Sequence, residues 1–296
     1  MAAPAFDYRA AGDLGEALDV LAAHGEDAKV LAGGQSLVPM MHLRLARPGV
    51  VLDINRLPGL DRAAVVDGEL RLGALVRHRR LERPPVADPL GALLAAAAGH
   101  VGHLPIRVRG TFAGSLAHAD PAAEWCLIAV AVGARLVLAS ASGERVVPAG
   151  DFFDDPFVTA LRPDELITEV RLPLLGPAAG VAFRERASTA GAFAQAAACA
   201  AVEVEGGRVS AARLAVGGVA GRPLALPAAA ATVVGSDPAD VAARLGELRQ
   251  EVVAAVDPRD DPLVPADYRR ALAAELAADA VAAAVGDAVK REAARR

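Results

Sequence analysis

The stretch Lys29-Val30-Leu31-Ala32-Gly33-Gly34-Gln35-Ser36-Leu37 decides how the chain is read: a short apolar run breaks on two glycines and restarts as a helix. Val30-Leu31-Ala32 suits a short buried strand. The paired glycines remove both Cβ atoms where the backbone turns and something approaches closely. Ser36 is placed to cap the new helix, and Pro39 falls in its first turn, where a missing N–H costs nothing. Such a turn offers backbone N–H groups to an anion, because the first four lack an intrahelical partner and the dipole is positive there. The same pattern also serves as a plain tight connection between strand and helix.

Working outward, Asp13-Leu14-Gly15-Glu16 has capping-box spacing, and Leu14, Ala17, Leu18, Leu21 and Ala22 follow at helical spacing up to His24-Gly25. Residues 37–45 read as a second helix stopped by Arg47-Pro48, and Val50-Val51-Leu52-Asp53 as a second strand. Residues 1–57 thus make a small βαβ-like lobe with the glycine turn at its mouth. A second lobe spans 58–175, with strands predicted at 69–76, 134–139 and 166–172 and a small-residue helix at 89–99. It holds the second glycine-bearing stretch, Ile106-Arg107-Val108-Arg109-Gly110-Thr111-Phe112-Ala113-Gly114-Ser115-Leu116-Ala117-His118-Ala119-Asp120-Pro121. Asp120 before Pro121, with Glu124 in the first turn, starts a helix running to about Val132. Pro173, Gly176, Pro177 and Gly180 mark a linker. After it, residues 194–204, a Glu205-Gly206-Gly207 turn and residues 208–216 read as a hairpin, followed by helices at 238–256 and 265–293. The third unit, 178–296, is α+β.

Of the 296 residues, 54% are hydrophobic but only 3% aromatic, so the core is built from Ala, Val and Leu. A net charge of −5 gives no electrostatic reason to expect nucleic acid or an anionic membrane as partner. Cys126 and Cys199 are far apart in apolar contexts. They read as reduced core residues, and two thiols cannot hold a four-thiolate iron–sulfur cluster. Met1-Ala2-Ala3-Pro4-Ala5-Phe6-Asp7-Tyr8-Arg9 is not a signal peptide, Arg79-Arg80 lies too far in for a twin-arginine signal, and the alanine runs are too short or too charged to span a bilayer. The expectation is a soluble, cytoplasmic chain. The six histidines show no metal-ligand spacing, so no bound metal is expected.

Two stretches, 32–36 and 111–115, each combine a small-residue turn with a hydroxyl, and together they make a clamp plausible. Neither is a GxGxxG fingerprint or a Walker loop. Ala-Gly-Gly-Gln-Ser-Leu at 32–37, Met-His-Leu-Arg-Leu-Ala-Arg-Pro at 41–48 and Val-Leu-Asp-Ile-Asn-Arg-Leu-Pro-Gly-Leu at 51–60 resemble the FAD-binding medium subunit of molybdenum hydroxylases, the group of aerobic carbon monoxide dehydrogenase and xanthine dehydrogenase. Residues 106–124 resemble the same family's second FAD loop, and the likeness runs through Asp164-Glu165-Leu166-Ile167 and Phe183-Arg184 to the end.

The resemblance implies a flavoprotein fold of the vanillyl-alcohol-oxidase (PCMH) type, two lobes holding FAD and a separate C-terminal α+β domain. It implies pyrophosphate contacts from Leu31, Ala32, Gly33, Gly34, Gln35, Ser36 and Leu37, and from Thr111, Phe112, Ala113, Gly114 and Ser115. Glu124 matches an acidic position near the ribose and adenine end, Ile167 and Arg184 match positions lining the isoalloxazine, and Phe193 matches an aromatic position beside the ring. His118 and Asp120 follow the second loop, where His118 could neighbour the cofactor or be a mere turn residue. The chain departs from the family pattern at Ala113, where a glycine is usual, at Arg184, lysine in some relatives, and at Ala192, where an acidic residue is common; Ala113 is expected at negative φ.

The implied function is electron relay. A large molybdopterin-binding partner would oxidise the substrate, a small partner with [2Fe-2S] clusters would carry electrons singly, and FAD here would pass them to NAD⁺, oxygen or a quinone, in a dimer of heterotrimers. A free-standing flavin oxidoreductase of the same superfold and a bridging scaffold without FAD are the alternatives. His42 and Arg44 read as a solvated or subunit-facing surface, Arg77-His78-Arg79-Arg80 as an exposed basic helix start, and Trp125 as core or interface packing.

Overall fold

The computed structural model describes residues 4–262 and 264–295, so Met1-Ala2-Ala3 lie outside them. The first lobe is a parallel sheet in the order β1-β3-β2, made of β1 (Asp7–Ala10), β2 (Ala28–Leu31) and β3 (Val50–Asp53). α1 (Leu14–His24) crosses from β1 to β2, its first turn capped by Asp13, which accepts from the Glu16 N–H, and its end closed by Gly25 at φ 50°. The βαβ reading holds, with one strand more than expected. β1 reads Asp-Tyr-Arg-Ala and is largely exposed, so it carries no apolar pattern to find. α2 (Leu37–His42) stops three residues short of the predicted end, because Arg44 adopts φ 60° and the Leu45 and Ala46 N–H groups both turn back to Met40 O.

The second lobe is an antiparallel sheet, β4-β5-β10-β6-β7. β4 (Ala63–Val66) and β5 (Glu69–Gly73) are joined by Asp67 and Gly68, both at positive φ, the Asp-Gly hairpin signal. A 3-10 turn at His78–Glu82 leads into α3 (Pro89–Ala98), capped by Asp88, then α4 (Leu104–Arg109), α5 (Phe112–His118) and α6 (Glu124–Val132). Asp120 does not begin α6: its carboxylate accepts from the Ala122 N–H in a turn that delays the helix to Glu124. The lobe closes with β6 (Arg135–Ser140), β7 (Gly143–Pro148), the small ladder of β8 (Phe153–Asp155) with β9 (Val158–Thr159), and β10 (Leu166–Pro173) at the sheet's centre.

Beyond the linker, β11 (Gly180–Ala187), β12 (Ala194–Glu205), β13 (Arg208–Gly217) and β14 (Leu224–Ala225) form an antiparallel sheet. The predicted hairpin is present, with Gly206 and Gly207 both at positive φ. α7 (Pro227–Ala231), α8 (Val241–Ala255) and α9 (Ala266–Arg295) cover one face. The other face lies on the second lobe, since Phe183, Ala197, Cys199, Ala201 and Ala215 belong to that lobe's core while Ala182, Ala196, Ala198 and Ala200 belong to the helical side. Burial on both faces explains why β12 is a near-continuous alanine run. Both cysteines are free and buried, as expected, and burial pushes the Cys199 thiol up to about 12. Among the described residues, no helix is long and apolar enough to cross a membrane.

Candidate functional site

The opening stretch forms a turn at the end of β2. Gly34 sits at φ 72°, Gln35 folds back so that its Nε2 donates to Gly33 O at 3.1 Å, and α2 starts with Val38 N–H donating to Gly34 O. Ser36 occupies the cap position but its hydroxyl makes no cap bond; its helical φ and ψ turn the side chain from the role the sequence suggests. No protein acceptor among the described residues takes the N–H groups of Gln35, Ser36 and Leu37. Of the three, Gln35 lines a cavity of about 330 Å³ at this turn, together with Leu31, Ala32, Gly33, Gly34, Val38, Pro39, Asp53, Asn55 and Arg109.

The second motif is a capped helix rather than a loop. Thr111 Oγ1 accepts from Gly114 N–H at 3.1 Å and begins α5, so a Cβ on Gly114 would stand 2.6 Å from that oxygen. Ala113 lies in the first turn of α5 and has the negative φ expected of it. Thr111, Phe112 and Ala113 are buried, with the Phe112 ring 5.1 Å from Trp125, which leaves Gly114 and Ser115 as the partly exposed members.

The two motifs touch. A Cβ on Gly33 would meet Arg109 O at 2.5 Å and Gly110 Cα at 2.6 Å. A polar network ties them further: Asn55 Nδ2 donates to Ala32 O (2.8 Å), Arg77 Nη2 donates to Asn55 Oδ1 (2.6 Å), and Arg77 Nη1 donates to Arg109 O. Asp53 anchors the network, accepting from Tyr8 Oη (2.6 Å) and from Asn55 Nδ2 (2.6 Å). Burial alone would raise the Asp53 carboxyl, but these hydrogen bonds outweigh it and hold the group below its ordinary range. Beneath the second motif, Trp125 Nε1 donates to His78 Nδ1 at 2.9 Å, and burial pushes His78 down to about 4, keeping it neutral. The expected exposed basic run is therefore broken at His78, which is buried against Gly110 while Arg79 and Arg80 face solvent.

Of these residues, Asp53, Asn55 and Arg109 lie in stretches the sequence marks but carry no site role there, and Arg77 reads from sequence only as part of a basic run. Asp53-Ile54-Asn55 ends a predicted strand in the lobe that carries the glycine turn, which is the one signal available.

The remaining predicted positions separate. His118 stacks on Phe157 with centroids 5.0 Å apart and is lowered by burial. Ile167 is buried in the second lobe's core beside the bulge in β10. Glu124, at the start of α6, faces His100 and Glu185, and burial pushes it up to about 7. Arg184 points the other way, with Nε 3.7 Å from Asp279 of α9. Phe193 is 74% exposed just before β12. The geometry thus seats residues 31–37 on Arg109 and Gly110, directly ahead of Thr111–Ser115, and gathers Glu124 with the C-terminal sheet, but sets Arg184 and Phe193 apart.

The model of the FAD binding domain in molybdopterin dehydrogenase matches residues 4–175, and that of the CO dehydrogenase flavoprotein C-terminal domain matches residues 181–284. The caffeine dehydrogenase subunit beta of a Pseudomonas species is 35% identical over 95% of both chains, and the carbon monoxide dehydrogenase medium chain of Hydrogenophaga pseudoflava 33% identical over 96% of this chain and 98% of that one. The solved carbon monoxide dehydrogenase of Hydrogenophaga pseudoflava that lacks the Mo-pyranopterin moiety superimposes with a TM-score of 0.92 at 34% identity, covering 97% of this chain and 99% of that chain. Quinoline 2-oxidoreductase from Pseudomonas putida 86 superimposes with a TM-score of 0.89, also at 34% identity and over the same shares of both chains. Matched end to end in this way, the chain belongs to the family of FAD-binding subunits of molybdopterin dehydrogenases.

Proposed function

We propose that this chain holds the FAD of a molybdenum-hydroxylase complex and relays electrons from a partner's iron–sulfur clusters to an external acceptor. The observation that carries the reading is the cavity lined by the glycine turn, Gln35 and Arg109, beside a run of N–H groups at Gln35, Ser36 and Leu37 without protein acceptors among the described residues. Amide donors and one cation form a donor set suited to the doubly charged pyrophosphate of FAD. Residues 31–37 would bind it from the first lobe, with Gly114 and Ser115 on the second. The Asn55–Arg77 network holds the two lobes in register, which fixes the spacing between these contacts. Bound FAD accepts single electrons and releases two, while the protein positions it and keeps water away.

The division we propose is lobes at 1–57 and 58–175 and a C-terminal domain at 178–296. The partners would be a large molybdopterin-binding subunit and a small iron–sulfur subunit in a dimer of heterotrimers, in the cytoplasm. Two observations support this. The relatives are named as subunits or medium chains, and the only two cysteines are buried free thiols unable to ligate clusters. Purification with the chains encoded beside it tests the reading. The expected result is a yellow complex containing a molybdopterin-binding and an iron–sulfur chain; a colourless protein that takes up no added FAD, or a monomer oxidising an organic substrate alone, overturns it.

A further inference from the structure

β11 alternates strictly between two environments. Gly180 abuts the α9 backbone at Ala284 and Ala288, Ala182 lies in the helical core, and Arg184 pairs with Asp279. Phe183 and Glu185 point to the second lobe, Phe183 with its ring 5.3 Å from His100 and Glu185 with Oε1 3.5 Å from His100 Nδ1. The Glu185 side chain is only 2% exposed, yet its Oε2 has no hydrogen-bond partner. A buried carboxylate oxygen without a donor is costly and calls for one. The neighbouring side chains make no bond to it: Glu124 of α6 is a second carboxyl, and His100, half exposed just past α3, is engaged at the other oxygen. The seam adjoins the candidate site through α6, where Cys126, two residues past Glu124, donates its thiol to Ser115 O at 3.6 Å.

We propose that Glu185 is a positioning residue for bound FAD: His100 holds its Oε1, and its free Oε2 accepts a hydrogen bond from an N–H or O–H of the cofactor at the seam between the second lobe and the C-terminal sheet. The assignment rests on the FAD reading and moves the C-terminal contribution from Arg184 to its neighbour on the opposite face.

The test uses the full chain stripped of flavin, with FAD, ADP and riboflavin titrated separately into the wild type and into Glu185→Ala and Glu185→Gln. A hydrogen bond to a charged group is worth about 1.5–3 kcal/mol, so Glu185→Ala is expected to weaken FAD by about 10- to 100-fold. Glu185→Gln, which keeps one oxygen, loses less. A parallel loss for ADP assigns the contact to the adenosine half, and one for riboflavin to the flavin half. Because the orphaned carboxylate is a burden without FAD, Glu185→Ala is expected to leave the stripped chain at least as stable in urea. Unchanged FAD affinity, or weaker affinity together with a less stable stripped chain, overturns the proposal. A wild type that binds no FAD instead removes the reading beneath it.

Discussion

At the scale of single residues, Gly33 carries the most consequence. Its lack of a side chain is required by Arg109 O and Gly110 Cα, so besides lining the cavity it is the seat of one lobe on the other. Gly33→Val is expected to pry the motifs apart, costing about 1–3 kcal/mol or more and abolishing flavin retention, read as flavin absorbance per mole of protein. Amide exchange should remain protected in β12 and β13, whose core does not include the turn; retained flavin would show the cradle lies elsewhere. Trp125 gives a second prediction. Trp125→Phe keeps the ring against Phe112 but strips His78 Nδ1 of its donor, which costs about 1–3 kcal/mol in denaturant midpoint. Ala113, the buried cysteines and the glycine turn were legible because backbone conformation and apolar context are local properties. The partners of Gly33 and Glu185 were not, since they lie 76 or more residues away and local periodicity is silent about them.

At the scale of elements, those with a cap or a plain local pattern were readable: α1 from Asp13 and Glu16, α3 from its run of small residues after Pro89, the β12–β13 hairpin from its glycine pair. β1 and β4 escaped as largely exposed edge strands whose sequence shows no buried face. The α9–β11 contact accounts for small residues on the helix at Ala284 and Ala288, because Gly180 lets the helix backbone come down onto the strand. Gly180→Ala is expected to destabilise the chain by about 1–3 kcal/mol in urea, since its Cβ would fall on the backbone of Ala284 and Ala288. Gly286→Ala, on the same helix with open space around the added methyl, should do the opposite by about 0.5–1 kcal/mol through helix propensity. Equal and same-signed effects would refute close helix–strand seating.

At the scale of the whole molecule, the second lobe and the C-terminal sheet meet across titratable groups, and their joint stability depends on pH. Glu124 faces Glu185 from β11, His100 from the end of α3 and Asp120 from the preceding turn; burial raises it to about 7, the two carboxylates push the same way, and His100 opposes them. The folded chain therefore holds a proton that the unfolded chain, at the ordinary 4.5, releases. Its contribution is fully present below pH 4.5 and is lost as pH rises through 7, a swing on the order of 3 kcal/mol at 1.36 per unit. His100, raised by its bond to Glu185, adds in the same direction, whereas neutral His78 works oppositely between its lowered value of about 4 and 6.5. Comparison with Glu124→Gln isolates the first of these, because the amide keeps the shape and cannot ionise. In the flavin-free chain, the urea midpoint of the wild type relative to the variant is expected to fall between pH 5 and pH 8. A difference that stays constant across that window would mean that Glu124 is already ionised in the folded chain and that the seam is open to water.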